Sequence, residues 1–211
     1  MRAAPRPGMT TWDERFRTGA YPRDPDPSAL LERAVETFPD GRALDVATGT
    51  GRNAVFLAER GYRVDGLDRS REGLTIAREN ARRRGVADAT EWIQTDASSH
   101  EFPGSVYDVV TISFYRAVDR LPDVKRALKP GGVLFVEHHL RTADPTGSGP
   151  STDRYRFAAN ELLNACLDMT VLYYEAGREE RSEGGDAATA RVVARNSTGL
   201  KQSYPPQIGP N

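Results

Sequence analysis

The sequence predicts a doubly wound α/β fold: a mostly parallel seven-stranded sheet with an antiparallel last strand and helices on both faces. Three observations carry this. Short apolar runs alternate with amphipathic helical stretches up to about residue 140, the pattern of a parallel sheet covered on both sides. Gly49 and Gly51 lie where the first such strand gives way to a helix. The chain then finishes with two strands joined by "GREERSEGGDAA". That length and those turn residues suit an antiparallel hairpin better than a crossover.

Each element has its own signal. A short N-terminal helix holds Trp12 and Phe16, and the proline-punctuated "YPRDPDPS" follows as a loop. Ser28 or Asp26 caps a helix that runs to about Phe38, with Leu30, Leu31, Ala34, Val35 and Phe38 at helical spacing. Arg42 to Ala47 reads as a buried strand, Arg52 to Arg60 as a helix stopped by Gly61, and Tyr62 to Leu67 as the second strand. Ser70 caps a helix with Leu74, Ala77 and Ala81 inward and Gly85 at its end. Ala89 to Gln94 and Val106 to Ser113 are the third and fourth strands, and Trp92 belongs to the core. Ala117 to Leu128 reads as a helix, and "KPGG" turns into "VLFVEHHL", the fifth strand. Ala158 to Cys166 reads as helix, and Met169 to Tyr174 and Ala190 to Arg195 as the last strands. Residues 1–24 form an arm, 25–195 a single domain and 196–211 a disordered tail. The polar loop Thr142 to Asp153 leaves the C-terminal end of the fifth strand, where loops of such sheets line the site.

Composition narrows the function classes. The chain has 211 residues, 38% hydrophobic and 28% charged, with a net charge of -1. It therefore carries no general attraction to nucleic acid or anionic lipid. The arginines of "ARRRG" end a helix, where they complement the dipole and face water. Cys166 is the only cysteine, which excludes an internal disulfide and fits a reducing cytosol. No apolar stretch approaches the ~20 residues of a membrane span. The start lacks the apolar segment of a signal peptide, so the expected place is the cytoplasm.

Glycines at the strand-to-helix turn permit positive φ and close approach of a ligand to the backbone. Asp68 ends the second strand at about the distance where an acid binds ribose hydroxyls. The competing reading is a tight turn beside a surface acid. If a ribose ligand binds, Asp45 discriminates among candidates. A carboxylate inside the first strand repels a pyrophosphate and favours a cation. S-adenosylmethionine offers an ammonium to Asp45, a ribose diol to Asp68 and an adenine amine to Asp96 in "IQTDASS". Two other readings stay open: a nicotinamide-dependent oxidoreductase, and a protein that binds S-adenosylmethionine without catalysis.

The segments "LDVATGTG", "VDGLD", "IQTDA", "YDVVTIS" and "LKPGGVLFVEH" resemble, in order and spacing, those of class I, Rossmann-like S-adenosylmethionine-dependent methyltransferases. The resemblance is strong over residues 40 to 140. "LDVATGTG" looks like the quinone-biosynthesis branch. "GTGRNAVFLAERGYRV" and "WDERF" look more like the small tellurite-resistance and thiol-methyltransferase branch. It implies that Asp45, Ala47, Gly49 and Gly51 hold the methionine part, Asp68 with Arg69 the ribose, and Asp96 with Ala97 the adenine. Many members have glycine where Ala47 stands. The acceptor it implies is a small molecule: a thiol, a metalloid or similar. An N-terminal segment with Trp12, Phe16 and Tyr21 would close over the cofactor.

Three residues are candidates for catalysis. His138 and His139 end the fifth strand and face opposite sides of the sheet, so the pair does not suit one metal ion, and no metal is expected. Either suits a base or substrate contact. Tyr115 follows the fourth strand and would border the transferred methyl. Glu137 is an alternative pocket acid. Ser113-Phe114-Tyr115-Arg116 lacks the Asn or Asp followed by two prolines and an aromatic that accompanies DNA amino methylation.

Overall fold

The computed structural model describes residues 11–143, 149–180, 186–197, 199 and 201–208. In chain order the elements are α1 (Trp12–Arg17), α2 (Ala29–Ala34), β1 (Arg42–Val46), α3 (Arg52–Glu59), β2 (Arg63–Asp68), α4 (Arg71–Arg83), β3 (Thr90–Gln94), β4 (Tyr107–Ser113), α5 (Leu121–Ala127), β5 (Leu128–His139), α6 (Glu161–Asn164), β6 (Thr170–Glu180) and β7 (Asp186–Arg195). The seven strands lie in the order β3-β2-β1-β4-β5-β7-β6. β1 to β5 pair in parallel. β7 runs antiparallel between β5 and β6, so it is the single reversed strand. The tips of β1, β2, β3, β4 and β5 therefore share one edge, where a ligand of a doubly wound sheet binds.

Alternate residues of the strands feed two cores. Leu44, Val46, Val110, Ile112, Leu134 and Val136 pack with Leu121, Val124, Phe157 and Leu162 on one face. Ala43, Val109, Val133 and Phe135 pack with Leu30, Leu31, Phe56 and Leu57 on the other. Trp92 packs on this second cluster. Its indole lies so close to Gly66 that a Cβ there would sit 2.5 Å from the ring. Among the described residues no helix is long and apolar enough to cross a membrane.

Several boundaries differ from the sequence expectation, each for a local reason. α2 stops at Ala34 and continues only as a 3-10 turn to Thr37, because Phe38 precedes Pro39 and is extended, with ψ 153. Ser28 sits at the N-cap of α2 but makes no cap bond, its hydroxyl donating to Glu137 instead. The helix expected from Ala117 begins at Leu121, where Pro122 occupies the first turn. β5 starts at Leu128 and runs through "KPGG" to Val133, with a register shift opposite Tyr107 and Val109. α6 is one turn long and begins after Asn160, at φ 60.

β6 and β7 extend well into the expected hairpin loop, paired by Arg178–Asp186 and by Arg191–Glu179 at 2.6 Å. Residues 181–185, at the hairpin tip, and 144–148, within the loop after β5, lie outside the described residues. After β7, Ile208 packs on the α2–α3 side of the sheet and Arg195 donates to the Ser203 carbonyl.

Candidate functional site

The turn after β1 places Ala47, Gly49 and Gly51 in the left-handed region, at φ 57, 57 and 83. Glycine adopts this freely; alanine pays for it. Two carboxylates hold the turn in shape. Asp45, 3% exposed, accepts from Thr48 Oγ1 at 2.5 Å and from Thr111 Oγ1 at 2.6 Å. Burial raises its carboxyl to about 6, against the pull of Thr111, Thr48 and Arg52. Asp68, 7% exposed, accepts from the Gly49 amide and from the Ser70 amide, each at 2.8 Å. Burial raises it too, opposed by those amides.

The structure brings Asp45 and Asp68 close enough that the Asp68 charge raises the Asp45 pKa. Asp96 is exposed beyond β3, its Oδ1 accepting from the amide and hydroxyl of Ser98 at 3.0 and 2.7 Å. Ala97 beside it is buried in the α5–α6 core. Arg69 is exposed, and its charge reaches Asp68 and Tyr115.

This donor set fits S-adenosylmethionine. A carboxylate has about four acceptor positions; the amides of Ser70, Gly49 and Arg69 act on Asp68, and the remaining capacity suits a hydroxyl of a diol. The left-handed Gly49 presents backbone rather than side chain to the crevice. The two buried acids supply negative potential for a cationic ligand.

Over the turn lies α1. Phe16 wedges between Gly49 and Gly73, where added Cβ atoms would meet its ring at 3.4 and 3.1 Å. Phe16 also packs with Trp12 and Tyr21, the three ring centroids 5.7 to 6.1 Å apart. Asp13 Oδ1 accepts from the Ser70 hydroxyl at 2.5 Å and the Glu72 amide at 3.0 Å, which fastens α1 to the start of α4.

At the tips of β4 and β5, His138 and His139 do not separate as expected: their ring centroids lie 5.9 Å apart and both rings pack on Phe114. His138 stands edge-on to Phe157, with ring centroids 5.3 Å apart and planes at 89°. His139 packs on Phe114 at 4.9 Å and against Gly149 of the long loop. Among the described residues no cluster of metal-ligating side chains occurs. Burial, then the charges of Arg116 and Arg156, lower His138 to about 4, opposed by the Tyr155 backbone. Tyr115 is pushed up by burial and by Asp96, so it lies within electrostatic reach of the β3 tip.

Sequence reasoning missed a second layer. Arg52 donates to Glu137 Oε1 at 2.5 Å and lies over Phe114, 5.3 Å from the ring centre. Glu137 Oε2 takes the Ser28 hydroxyl at 2.9 Å, with Arg191 at 3.5 Å. Glu137 is thus a buried anchor between β5, β7 and the entry to α3. Asn53 links Ser28 to Ser113, and Phe114 leaves β4 at φ 54. One signal was present: Arg52 opens α3, whose first turn holds no acid. A cation there opposes the helix dipole and needs a partner elsewhere.

Residues 43–132 match the methyltransferase-domain family. The chain is 35% identical over 179 residues to the ubiquinone/menaquinone biosynthesis C-methyltransferase UbiE of Azotobacter vinelandii, covering 75% of this chain and 69% of the relative. It is 38% identical over 113 residues to demethylmenaquinone methyltransferase of Thermus thermophilus, half of each chain. The fold is shared with a S-adenosylmethionine-dependent methyltransferase from Methanosarcina mazei (TM-score 0.66, 19% identity, 82% of this chain and 99% of that one). It is shared also with TehB from Haemophilus influenzae (TM-score 0.69, 19% identity, 88% and 66%).

Proposed function

The chain belongs to the class I S-adenosylmethionine-dependent methyltransferases, and from that premise we propose that it methylates a small, flat, hydroxylated ring. The observation that carries the acceptor reading is the aromatic lining of the β4–β5 tips. Phe114 and Tyr115 lie there half-buried, Tyr115 inside the field of Asp96, while Phe157 is buried in the core beside His138. Flat faces of this kind stack on a ring and give little to a metalloid oxyanion. The names of the quinone-methylating relatives support the same class, whereas the thiol or metalloid acceptor expected from the sequence finds no such support.

The bound cofactor would supply an electrophilic methyl on a sulfonium. The chain's own work is alignment and exclusion of water. Asp68 and the Gly49 backbone would orient the donor, with Asp45 balancing its charge and Asp96 its base. Phe16, Trp12 and Tyr21 would shield it as a lid. Tyr115 and Phe114 would fix the plane of the acceptor. The near-neutral net charge supports a small acceptor over nucleic acid.

Incubation with methyl-labelled S-adenosylmethionine and a panel of quinols, phenols, thiols and tellurite tests this by mass spectrometry. Label on the rings is expected. Label on thiols or tellurite alone would overturn the acceptor assignment.

A further inference from the structure

One serine serves two carboxylates at the cofactor edge. Ser70, 2% exposed, donates its amide to Asp68 Oδ1 at 2.8 Å and its hydroxyl to Asp13 Oδ1 at 2.5 Å. Its oxygen also accepts from the Gly73 amide at 3.0 Å, which makes Ser70 the N-cap of α4. Asp13 Oδ1 takes the Glu72 amide as well, at 3.0 Å. An acid from α1 thus completes the first turn of α4, where the helix dipole favours negative charge. The Ser70 hydroxyl, then the Glu72 amide, Arg17 and the Arg71 amide, hold the Asp13 carboxyl below its ordinary range against the cost of burial.

The rest of the arm follows α4 without passing through this contact. Asn80 donates to the Arg23 carbonyl at 2.7 Å, Arg23 pairs with Glu79 at 3.0 Å, and Arg83 with Asp24 at 2.7 Å. Between that root and α1 stands Gly19, at φ 74, with nothing within 4 Å of where a Cβ would stand. α1 has six residues, too few to persist as a helix by itself. Asp13 and Phe16 seat it on α4.

We propose that Asp13 is a positioning residue for the cofactor's ribose: by holding the Ser70 hydroxyl it keeps Asp68 open to the ribose diol and closes α1 over the same crevice. This rests on the methyltransferase reading and on the ribose assignment of Asp68, and adds to them a residue that acts through another.

A serine hydroxyl carries one proton and serves one acceptor at a time. While Asp13 takes that proton, Asp68 receives only the amide of Ser70, and its remaining capacity meets the ribose hydroxyls. Without Asp13 the hydroxyl is released, and Asp68, bonded to the amide of the same serine, stands beside it. The ribose then meets a carboxylate already engaged, under an arm that has lost its polar seat. Arg23 and Asp24 still hold the root of the arm, so the loss is confined to the α1 end.

The probes are S-adenosylhomocysteine, 5′-methylthioadenosine and the 2′,3′-dideoxy form of the latter, each titrated calorimetrically into the full chain. Asp13→Ala should weaken S-adenosylhomocysteine about tenfold, the size of a lost charge-assisted contact. Asp13→Asn, which keeps an acceptor oxygen, should fall between Asp13→Ala and the wild type. Two readouts separate positioning from support of the fold. The preference for methylthioadenosine over its dideoxy form should shrink at least about threefold in Asp13→Ala, since only the hydroxyls answer to Asp68. Asp13→Ala combined with Asp68→Asn should bind no more than about threefold worse than Asp68→Asn, because residues in one hydrogen-bond network are not additive. Unchanged affinity in Asp13→Ala, an unchanged preference for the hydroxyls, or fully multiplied losses in the double variant would each overturn the assignment. If Asp13→Ala fails to fold, Asp13→Asn carries the same three measurements. A wild-type chain that binds none of the probes would overturn the methyltransferase reading. One that binds the two nucleosides equally would overturn the ribose assignment and this inference with it.

Discussion

The Asp68 carboxylate accepts the amide of Gly49 at 2.8 Å across 19 residues of sequence, clasping the tip of β2 to the turn after β1. The same carboxylate takes the Ser70 amide through its other oxygen. The acid expected to meet a ribose is therefore also the one that shapes the crevice.

Replacing Asp68 by alanine strands both amides, one of them buried beside Ser70. Loss of about 1 to 3 kcal/mol of stability is expected, seen as a fall in Tm of several degrees by calorimetry. An unchanged Tm would mean the clasp does not hold the turn.

Ala47 sits at φ 57, a conformation that costs an L-residue about 1 to 2 kcal/mol. Ala47→Gly should relieve that strain. Offset by the greater freedom of glycine in the unfolded chain, the net gain is about 0.5 to 1 kcal/mol. Denaturant titration measures it, and a loss of stability would place the strain elsewhere.

Two buried groups tie stability and binding to pH in opposite senses. Asp45 is raised to about 6, so its contribution is full below the ordinary carboxylate range and is lost as pH rises through about 6. His138 is lowered to about 4 from 6.5, so its contribution is full above its unfolded pKa and is lost as pH falls toward 4. A cationic ligand prefers ionised Asp45. Affinity for S-adenosylmethionine should therefore rise about tenfold between roughly pH 5 and pH 7 and then level off, with proton release on binding in the lower part of that window. Isothermal titration in buffers of different ionisation enthalpy checks the sign. Affinity that falls with rising pH would remove Asp45 from the site.

Phe16, the wedge of the proposed lid, is buried at 7% exposure between the glycine turn and α4. Phe16→Ala should cost about 3 kcal/mol of local packing. It should also speed dissociation of S-adenosylmethionine at least about tenfold, measured by stopped-flow fluorescence of Trp12. Unchanged dissociation in a folded variant would show that α1 braces the turn without covering the ligand.

The mostly parallel sheet and its reversed last strand were legible because apolar runs and glycine stops mark each unit; the order of the strands was not read from the sequence. The ends of β6 and β7 were not, because charged pairs such as Arg191–Glu179 replace the apolar alternation that signals a strand. α5 begins late because Pro122 occupies its first turn, a start signal present in the sequence that the reading from Ala117 passed over. At the site, Asp45, Asp68 and the glycines were legible from type and spacing. That each acid is already bonded within the chain was not, since Thr111 and Ser70 reach them only through pairing and turn geometry. Arg116 was read merely as part of the segment following β4. Its partner Glu161 is 45 residues away, and no local pattern joins them.

The central claim is that the crevice bounded by Gly49, Asp68 and Asp96 holds S-adenosylmethionine. Calorimetric titration of the wild-type chain and of Asp68→Asn, with S-adenosylmethionine and with NADH in parallel, tests it most directly. The account predicts one saturable site for S-adenosylmethionine, weakened by about 1.5 to 3 kcal/mol in the variant, and no heat with NADH. Equal affinity in a folded variant, or saturable binding of NADH in place of S-adenosylmethionine, would contradict it.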